Sequence, residues 1–99
     1  MEIFEEKNKK YYLQFAFIDE GVGNAGGEES DGSWWTNPFE WDIKDQILTI
    51  KYKDSAEKYR VVSIDETVLV LVGIAGEAKG DSFTMHNIPE SQFNKSVKV

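Results

Sequence analysis

The sequence predicts an all-β protein, built as an antiparallel up-and-down meander of six or seven strands. The main evidence is a set of short runs in which large side chains recur at every second residue, because successive strand side chains point to opposite faces. Such runs occur at residues 41–43, 48–52, 59–61, 69–71 and 83–85. Turns rich in Asp, Ser, Gly or Asn separate them, which is typical of strands that pair with their neighbours along the chain.

The first two strands are predicted on either side of a turn at residues 7–9. Glu and Lys residues before residue 11 have helical i,i+4 spacing, yet the apolar residues there form no helical stripe, so we favour a short strand. Residues 10–18 alternate more clearly, with Phe15 and Phe17 on one face. The opposite face is also partly apolar, which indicates a strand that is covered on both sides or lines an enclosed space.

Residues 19–33 form the one low-complexity segment, rich in glycine and acidic residues and without a basic residue. Such a composition buries too little apolar surface to offset the entropy lost on ordering. We therefore predict a mobile loop over residues 19–33. Its acidic side chains are potential calcium ligands, but their spacing matches no EF-hand loop, and no metal site is predicted.

The remaining strands follow from residue 34 onward. Residues 34–43 are predicted to form an edge strand because Pro38 donates no ladder hydrogen bond. Further strands are predicted, in chain order, over residues 46–53, 58–64, 67–72 and 82–87. After Pro89, a short helical turn over residues 90–94 is expected to place Phe93 against the sheet. The chain is thus predicted to be a single β domain over residues 1–99.

Composition and charge argue against several classes of function. Eighteen acidic and eleven basic residues leave a net charge of −7, and phosphate backbones bind clustered Lys and Arg, so no nucleic-acid partner is expected. No apolar run approaches the roughly 20 residues of a membrane-spanning helix. The chain has no cysteine. Its start lacks a signal-peptide pattern, which leaves two alternatives: a cytoplasmic protein, or one whose leader has been removed.

No catalytic set is recognisable. The only histidine, His86, has no partner arrangement of nucleophile and orienting acid that the sequence identifies. Most carboxylates lie beside turns, where they are usually solvated or bonded to nearby backbone. We therefore predict that the protein is not an enzyme and has no cofactor.

The order of the strand motifs resembles the bacterial lipocalin-like domains, a family of small calycin-like β-barrels. The motifs are Gly-x-Trp at 32–34, Leu-x-Ile at 48–50, Tyr-x-Val at 59–61, Leu-x-Leu at 69–71 and Phe-Thr at 83–84. The resemblance covers residues 3–86. The family's earlier Gly-x-Trp strand, which closes an eight-stranded barrel, has no counterpart here. The resemblance therefore implies a lipocalin-like barrel that is either incomplete or completed by a homodimer.

A lipocalin-like barrel implies a non-enzymatic binding domain for a small hydrophobic ligand. The bulky inward-facing residues are candidates for the ligand site, although they could equally fill a small barrel with their own side chains. These candidates are Phe15, Phe17, Trp35, Trp41, Tyr52, Tyr59, Leu71, Phe83 and Met85. Trp34 is adjacent to Trp35 and must face the other way, so it is a candidate contact for a partner.

The alternative is a small acidic interaction domain, of the inhibitor or immunity type, that acts on a basic protein partner. The net charge of −7 and the small size favour this hypothesis. It predicts association that weakens steeply with added salt.

Overall fold

A computed structural model of the chain describes residues 2–9 and 11–89 and shows a closed barrel of eight antiparallel strands in chain order. The strands are β1 (Glu2–Lys7), β2 (Tyr12–Asp19), β3 (Val22–Glu28), β4 (Trp34–Lys44), β5 (Ile47–Lys51), β6 (Ala56–Ile64), β7 (Val68–Ala75) and β8 (Ser82–Ile88). The predicted all-β antiparallel meander is confirmed, with eight strands instead of six or seven. The helical turn predicted at 90–94 lies outside the described residues.

The barrel closes within one chain because the first and last strands pair. β1 runs antiparallel to β8, with Ile3 opposite Ile88 and Glu5 opposite His86. The expectation of an incomplete barrel is therefore wrong, and the sheet needs no second copy to close. The physical reason is an additional strand in the segment that was predicted to be a loop.

That additional strand is β3, which pairs with β2 on one side and with β4 on the other. Its inward-facing glycines, Gly23 and Gly27, lie opposite Phe39 and Trp35 of β4. A Cβ on Gly23 would lie 2.5 Å from the Phe39 ring, and one on Gly27 would lie 2.6 Å from the Trp35 indole. Large rings of β4 thus occupy the space that side chains of β3 leave open, a pairing that suits glycine in a strand. The prediction of a mobile loop over residues 19–33 is therefore wrong for Val22–Glu28, which form β3.

Pro38 lies within β4, where the strand has a neighbour on one side only. β4 pairs with β3 from Trp34 to Glu40 and with β5 from Glu40 to Lys44. Pro38 is opposite Asn24 of β3 and has no partner in β5. The prediction of an edge strand is therefore wrong for β4 as a whole, because β4 has a partner strand on each side. At Pro38 itself the strand has an unpaired side, so the N–H that proline lacks breaks no hydrogen bond of the sheet.

Side chains fill the middle of the barrel. Phe15, Tyr59, Leu71 and Met85 are at most 2% exposed. The Phe15 ring contacts the ring of Phe39 edge-on at 6.1 Å between centroids and that of Tyr59 at the same distance. Edge-to-face pairs of this kind are favourable packing for aromatic rings. The packed middle layer separates the two ends of the barrel.

The outer face of β2 is covered as well. Gln14 and Ala16 point away from the barrel interior, yet both are fully buried. The Gln14 side-chain amide donates to the carboxylate of Glu5 at 3.0 Å, and the Tyr12 hydroxyl donates to the same oxygen at 2.8 Å. The middle of the second face that the sequence shows at residues 10–18 is therefore buried, as predicted, whereas Ile18 at its end is 42% exposed.

Candidate functional site

A cavity of about 700 Å³ lies at one end of the barrel and is named here the Trp41 cavity. Its apolar wall is formed by Phe4, Phe17, Trp41, Leu48, Val61 and Leu69. Its rim carries Glu2, Ile43, Ile64, Asp65, Glu66 and Asn87. Apolar walls with a few polar groups at the mouth are typical of small-molecule sites.

The Trp41 ring is held in place by the irregular end of β2. Its indole Nε1–H donates to the backbone oxygens of Asp19 and Val22, at 3.1 and 2.9 Å. A register shift between Phe17 and Asp19 forms the bulge that presents these oxygens. The Phe17 ring contacts the Trp41 ring edge-on at 5.3 Å. Because the backbone satisfies the indole N–H, the rest of the ring serves as apolar wall.

A second irregularity directs Ile64 into the mouth. The register of β6 shifts between Val61 and Ser63, so Val62 is the extra residue of a β-bulge. Without this bulge the alternation would place Ile64 on the outer face; with it, Ile64 lies opposite the inward-facing Leu69. Ile64 is 60% exposed and Val62 57% exposed. Ile64 therefore points to the inner face of the barrel and Val62 does not, although their exposed fractions are nearly equal.

The rim of the Trp41 cavity is acidic. Glu2 accepts a hydrogen bond from the Asn87 side-chain amide at 2.8 Å. Asp65 Oδ1 accepts from the backbone N–H groups of Thr67 and Val68, at 2.7 and 2.8 Å, and from the Thr67 hydroxyl. These bonds lower the pKa of Asp65. None of the described lining residues is Lys, Arg or His, so no basic side chain of this lining pairs with an anionic ligand.

The other end of the barrel holds two adjoining cavities of about 300 and 330 Å³, together named the Trp35 cavity. Both are lined by Trp35, Tyr52, Glu57 and Glu77. Burial raises the pKa of Glu57, and the charge of Glu77 raises it further. Burial also raises the pKa of the Tyr52 and Tyr59 phenols, and the nearby Glu57 carboxylate adds to both shifts.

The structure divides the predicted ligand residues between these places. Phe17 and Trp41 line the Trp41 cavity. Leu71 and Met85 are fully buried in the middle layer and line neither cavity, because side chains fill the barrel there. The remaining candidates line the Trp35 cavity, and they are Phe15, Trp35, Tyr52, Tyr59 and Phe83.

Trp34 faces outward, as the alternation predicts. Its ring is half-buried and meets the Tyr12 ring edge-on at 5.2 Å. Its role as a partner contact stays a prediction. The exposed His86 lies on β8 and lines neither cavity.

Several wall residues of the Trp41 cavity were absent from the prediction. Leu48 and Val61 each lie two residues from a residue whose inward direction the alternation shows, so the same signal identifies them. Ile64 follows a bulge, and no periodicity signals its direction. The acidic rim lies in turns and at strand ends, where alternation carries no information.

Across residues 2–9 and 11–89, no group of three or more His, Cys, Asp or Glu side chains is placed to hold a metal ion. The same part of the chain includes no helix long and apolar enough to cross a membrane.

Comparison with known proteins gives a family match. A family model described as a lipocalin-like domain matches residues 2–71. The match covers more than half of the chain, from β1 to the first half of β7. No curated protein and no solved structure matches the chain.

Proposed function

This chain belongs to the lipocalin-like domain family, and we propose that it binds a small apolar ligand in the Trp41 cavity. The observation that carries the proposal is the apolar-walled space of about 700 Å³ at one end of a barrel whose middle is filled. Ligand sites of proteins typically have volumes of roughly 300–1,000 Å³ and mostly apolar walls, and barrel mouths are common places for them.

The apolar wall supplies the favourable energy of binding. A ligand that removes about 200 Å² of apolar surface from water gains about 5 kcal/mol, at roughly 25 cal/mol per Å². Part of that gain offsets the entropy of association. Phe17 and Trp41 are fixed by their mutual edge contact and by the backbone bonds of the indole. The wall is therefore preorganised, which lowers the cost of ordering it around a ligand.

The acidic rim selects the kind of ligand. Glu2, Asp65 and Glu66 stand at the mouth without a basic neighbour in the described lining. An apolar molecule with a carboxylate head, such as a fatty acid, is disfavoured because like charges repel there. We infer that the ligand is uncharged at its polar end or carries a positive charge. Catalysis is not part of the proposal.

A fluorescent probe tests the site. N-phenyl-1-naphthylamine is uncharged and brightens in apolar surroundings, so titration with it is expected to give saturable binding. Ile64→Gln places a polar group on the rim and is expected to weaken binding about fivefold, from the loss of about 1 kcal/mol of apolar contact. Val62→Gln is the matched control, because Val62 is equally exposed but is absent from the cavity lining.

Two results would overturn the proposal. One is the absence of saturable binding by the wild-type protein. The other is an equal loss of binding in the Ile64 and Val62 variants, which would place the probe outside the cavity.

The alternative role as an acidic interaction domain has its own supporting observation. Ile18 and Val22, on either side of the β2–β3 turn, are 42% and 46% exposed. Exposed apolar residues on a chain of net charge −7 would suit a basic protein partner with an apolar contact. A partner recovered at low salt and lost at high salt would favour this role, whereas uptake of the uncharged probe does not depend on salt.

A further inference from the structure

The Trp35 cavity combines aromatic rings with carboxylates, and it is separate from the Trp41 cavity. Its two compartments share Trp35, Tyr52, Glu57 and Glu77, and Asp81 also lines the first of them. The filled middle layer lies between this cavity and the other end. None of its described lining residues is Lys, Arg or His. The space therefore brings negative charge and aromatic faces together without an internal cation.

Contacts with neighbouring residues position the rings of this cavity. The Trp35 indole covers Gly27, where a Cβ would lie 2.6 Å away. The Tyr52 ring meets the Phe39 ring edge-on at 6.0 Å with an interplanar angle of 84°. Tyr59 is 2% exposed and packs edge-on against Phe83 at 5.9 Å. Trp35 and Tyr52 are both half-buried and present ring surfaces to the cavity.

Backbone geometry keeps two carboxylates together in this space. Gly76 lies against β6 so closely that a Cβ would be 3.0 Å from Glu57 Cγ and 2.7 Å from the Ala56 backbone oxygen. This contact brings Glu77 next to Glu57, and the charge of Glu77 adds to the raised pKa of Glu57. The Tyr59 hydroxyl donates to Glu57 at 3.1 Å and fixes its position. The fold therefore holds an uncompensated negative charge beside the rings.

A bound cation would compensate that charge. Aromatic faces attract cations, and quaternary ammonium groups are the ligands that suit an aromatic cage best. A metal ion requires a tight shell of oxygen ligands, and no three acidic side chains in the described residues are close enough to form one. Cavities of about 300 and 330 Å³ fit a larger, organic cation.

We propose that the Trp35 cavity binds a small organic cation, a quaternary or alkylated ammonium group, between Trp35, Tyr52 and the carboxylates of Glu57 and Glu77. The proposal does not depend on the ligand of the Trp41 cavity. The two sites lie at opposite ends of the barrel and have different chemistry.

Choline and its uncharged isostere, 3,3-dimethylbutan-1-ol, test the proposal. In proton–nitrogen NMR spectra, choline is expected to shift the indole N–H signal of Trp35 saturably and to leave that of Trp41 unchanged. Because the isostere has the same shape without the charge, it is expected to bind at least about fivefold more weakly. Tryptophan-to-phenylalanine variants assign the signals.

Two variants test whether the Glu57 carboxylate contributes to choline binding. Glu57→Gln keeps the size and the hydrogen-bond acceptor for Tyr59, and it is expected to weaken choline binding at least about fivefold. Glu20→Gln removes an exposed acidic group at the opposite end that lines neither cavity, and it is expected to leave choline binding unchanged. Wild-type affinity in Glu57→Gln, an equal response to the isostere, or no saturable Trp35 shift would each overturn the proposal. Binding of the uncharged naphthylamine is measured separately, so the two proposals fail independently.

Discussion

Replacing Gly23 by alanine tests whether β3 is built around the rings of β4. An added Cβ would lie 2.5 Å from the Phe39 ring and 2.4 Å from the backbone oxygen of Ala16. Phe39 is 4% exposed, and its ring contacts those of Phe15 and Phe17 edge-on. Neither a sheet backbone nor a packed ring can retreat by about 1 Å, the distance to an ordinary contact, without moving its neighbours.

The expected cost lies at the upper end of the range for overpacking, which is about 1–3 kcal/mol. Alanine also restricts the unfolded chain, which returns about 0.4–1 kcal/mol. The net loss of unfolding free energy is therefore about 2 kcal/mol. For a domain of this size that corresponds to a fall in Tm of roughly 8–16 °C.

Gly27→Ala is the matched comparison on the same strand. Its Cβ would lie 2.6 Å from the Trp35 indole, which is as close as in the first case. However, Trp35 is half-buried and borders a cavity of about 330 Å³, so its ring has room to turn away. The expected net change is within about 1 kcal/mol, because relaxation removes most of the overlap.

Urea unfolding followed by circular dichroism and tryptophan fluorescence measures both variants. A mobile segment over residues 19–33 would predict that both alanines are neutral or stabilising, through the unfolded state alone. Gly23→Ala with wild-type stability would therefore refute the reasoning, as would equal destabilisation by the two variants.

Two further predictions concern pH. Burial and Glu77 raise the pKa of Glu57, so the folded protein keeps a proton at pH values where the unfolded chain has released it. The free energy of unfolding therefore falls as the pH rises through the raised pKa. Glu57→Gln should have a higher Tm than the wild type at about pH 7, and the difference should vanish below about pH 4.3, the pKa of Glu in an unfolded chain. An equal gain in Tm at both pH values would contradict this. Hydrogen bonds lower the pKa of Asp65, so its stabilisation is complete above about 3.9 and is lost as the pH falls through the lowered value. Asp65→Ala should lower Tm at about pH 7 with a deficit that narrows in acid, and a constant deficit would argue against the turn bonds as the cause.

Alternation predicts most of the barrel because its signal is local. Phe15 and Phe17, or Leu69 and Leu71, show their common face by spacing alone, and the structure places them inside. β3 gives no such signal, because its inward-facing residues are Gly23, Ala25 and Gly27, and the rings that cover the two glycines belong to β4. The evidence that β3 is a strand therefore lies in its pairing with β4, and the sequence of β3 alone does not contain it.

The alternation of side chains also indicates which face of the sheet a residue occupies, but it does not indicate where along the barrel axis that residue lies. The predicted ligand residues share the interior, yet the structure distributes them over two cavities and a filled middle layer. A single bulged residue, Val62, then reverses the face of everything after it in β6, which is how Ile64 reaches the mouth.

The filled middle has a consequence for how this barrel acquires function. An eight-stranded barrel is just wide enough for side chains to fill it or for one small ligand. Here Phe15, Tyr59 and Met85 take the centre, and the Trp41 and Trp35 cavities lie at the two ends. Turn residues, Asp65 and Glu77 among them, add acidic groups to each end and contribute little to the core. Because a close-packed layer separates the ends, we expect a substitution in one turn to alter the proposed binding site at its own end and to leave the other site as it was.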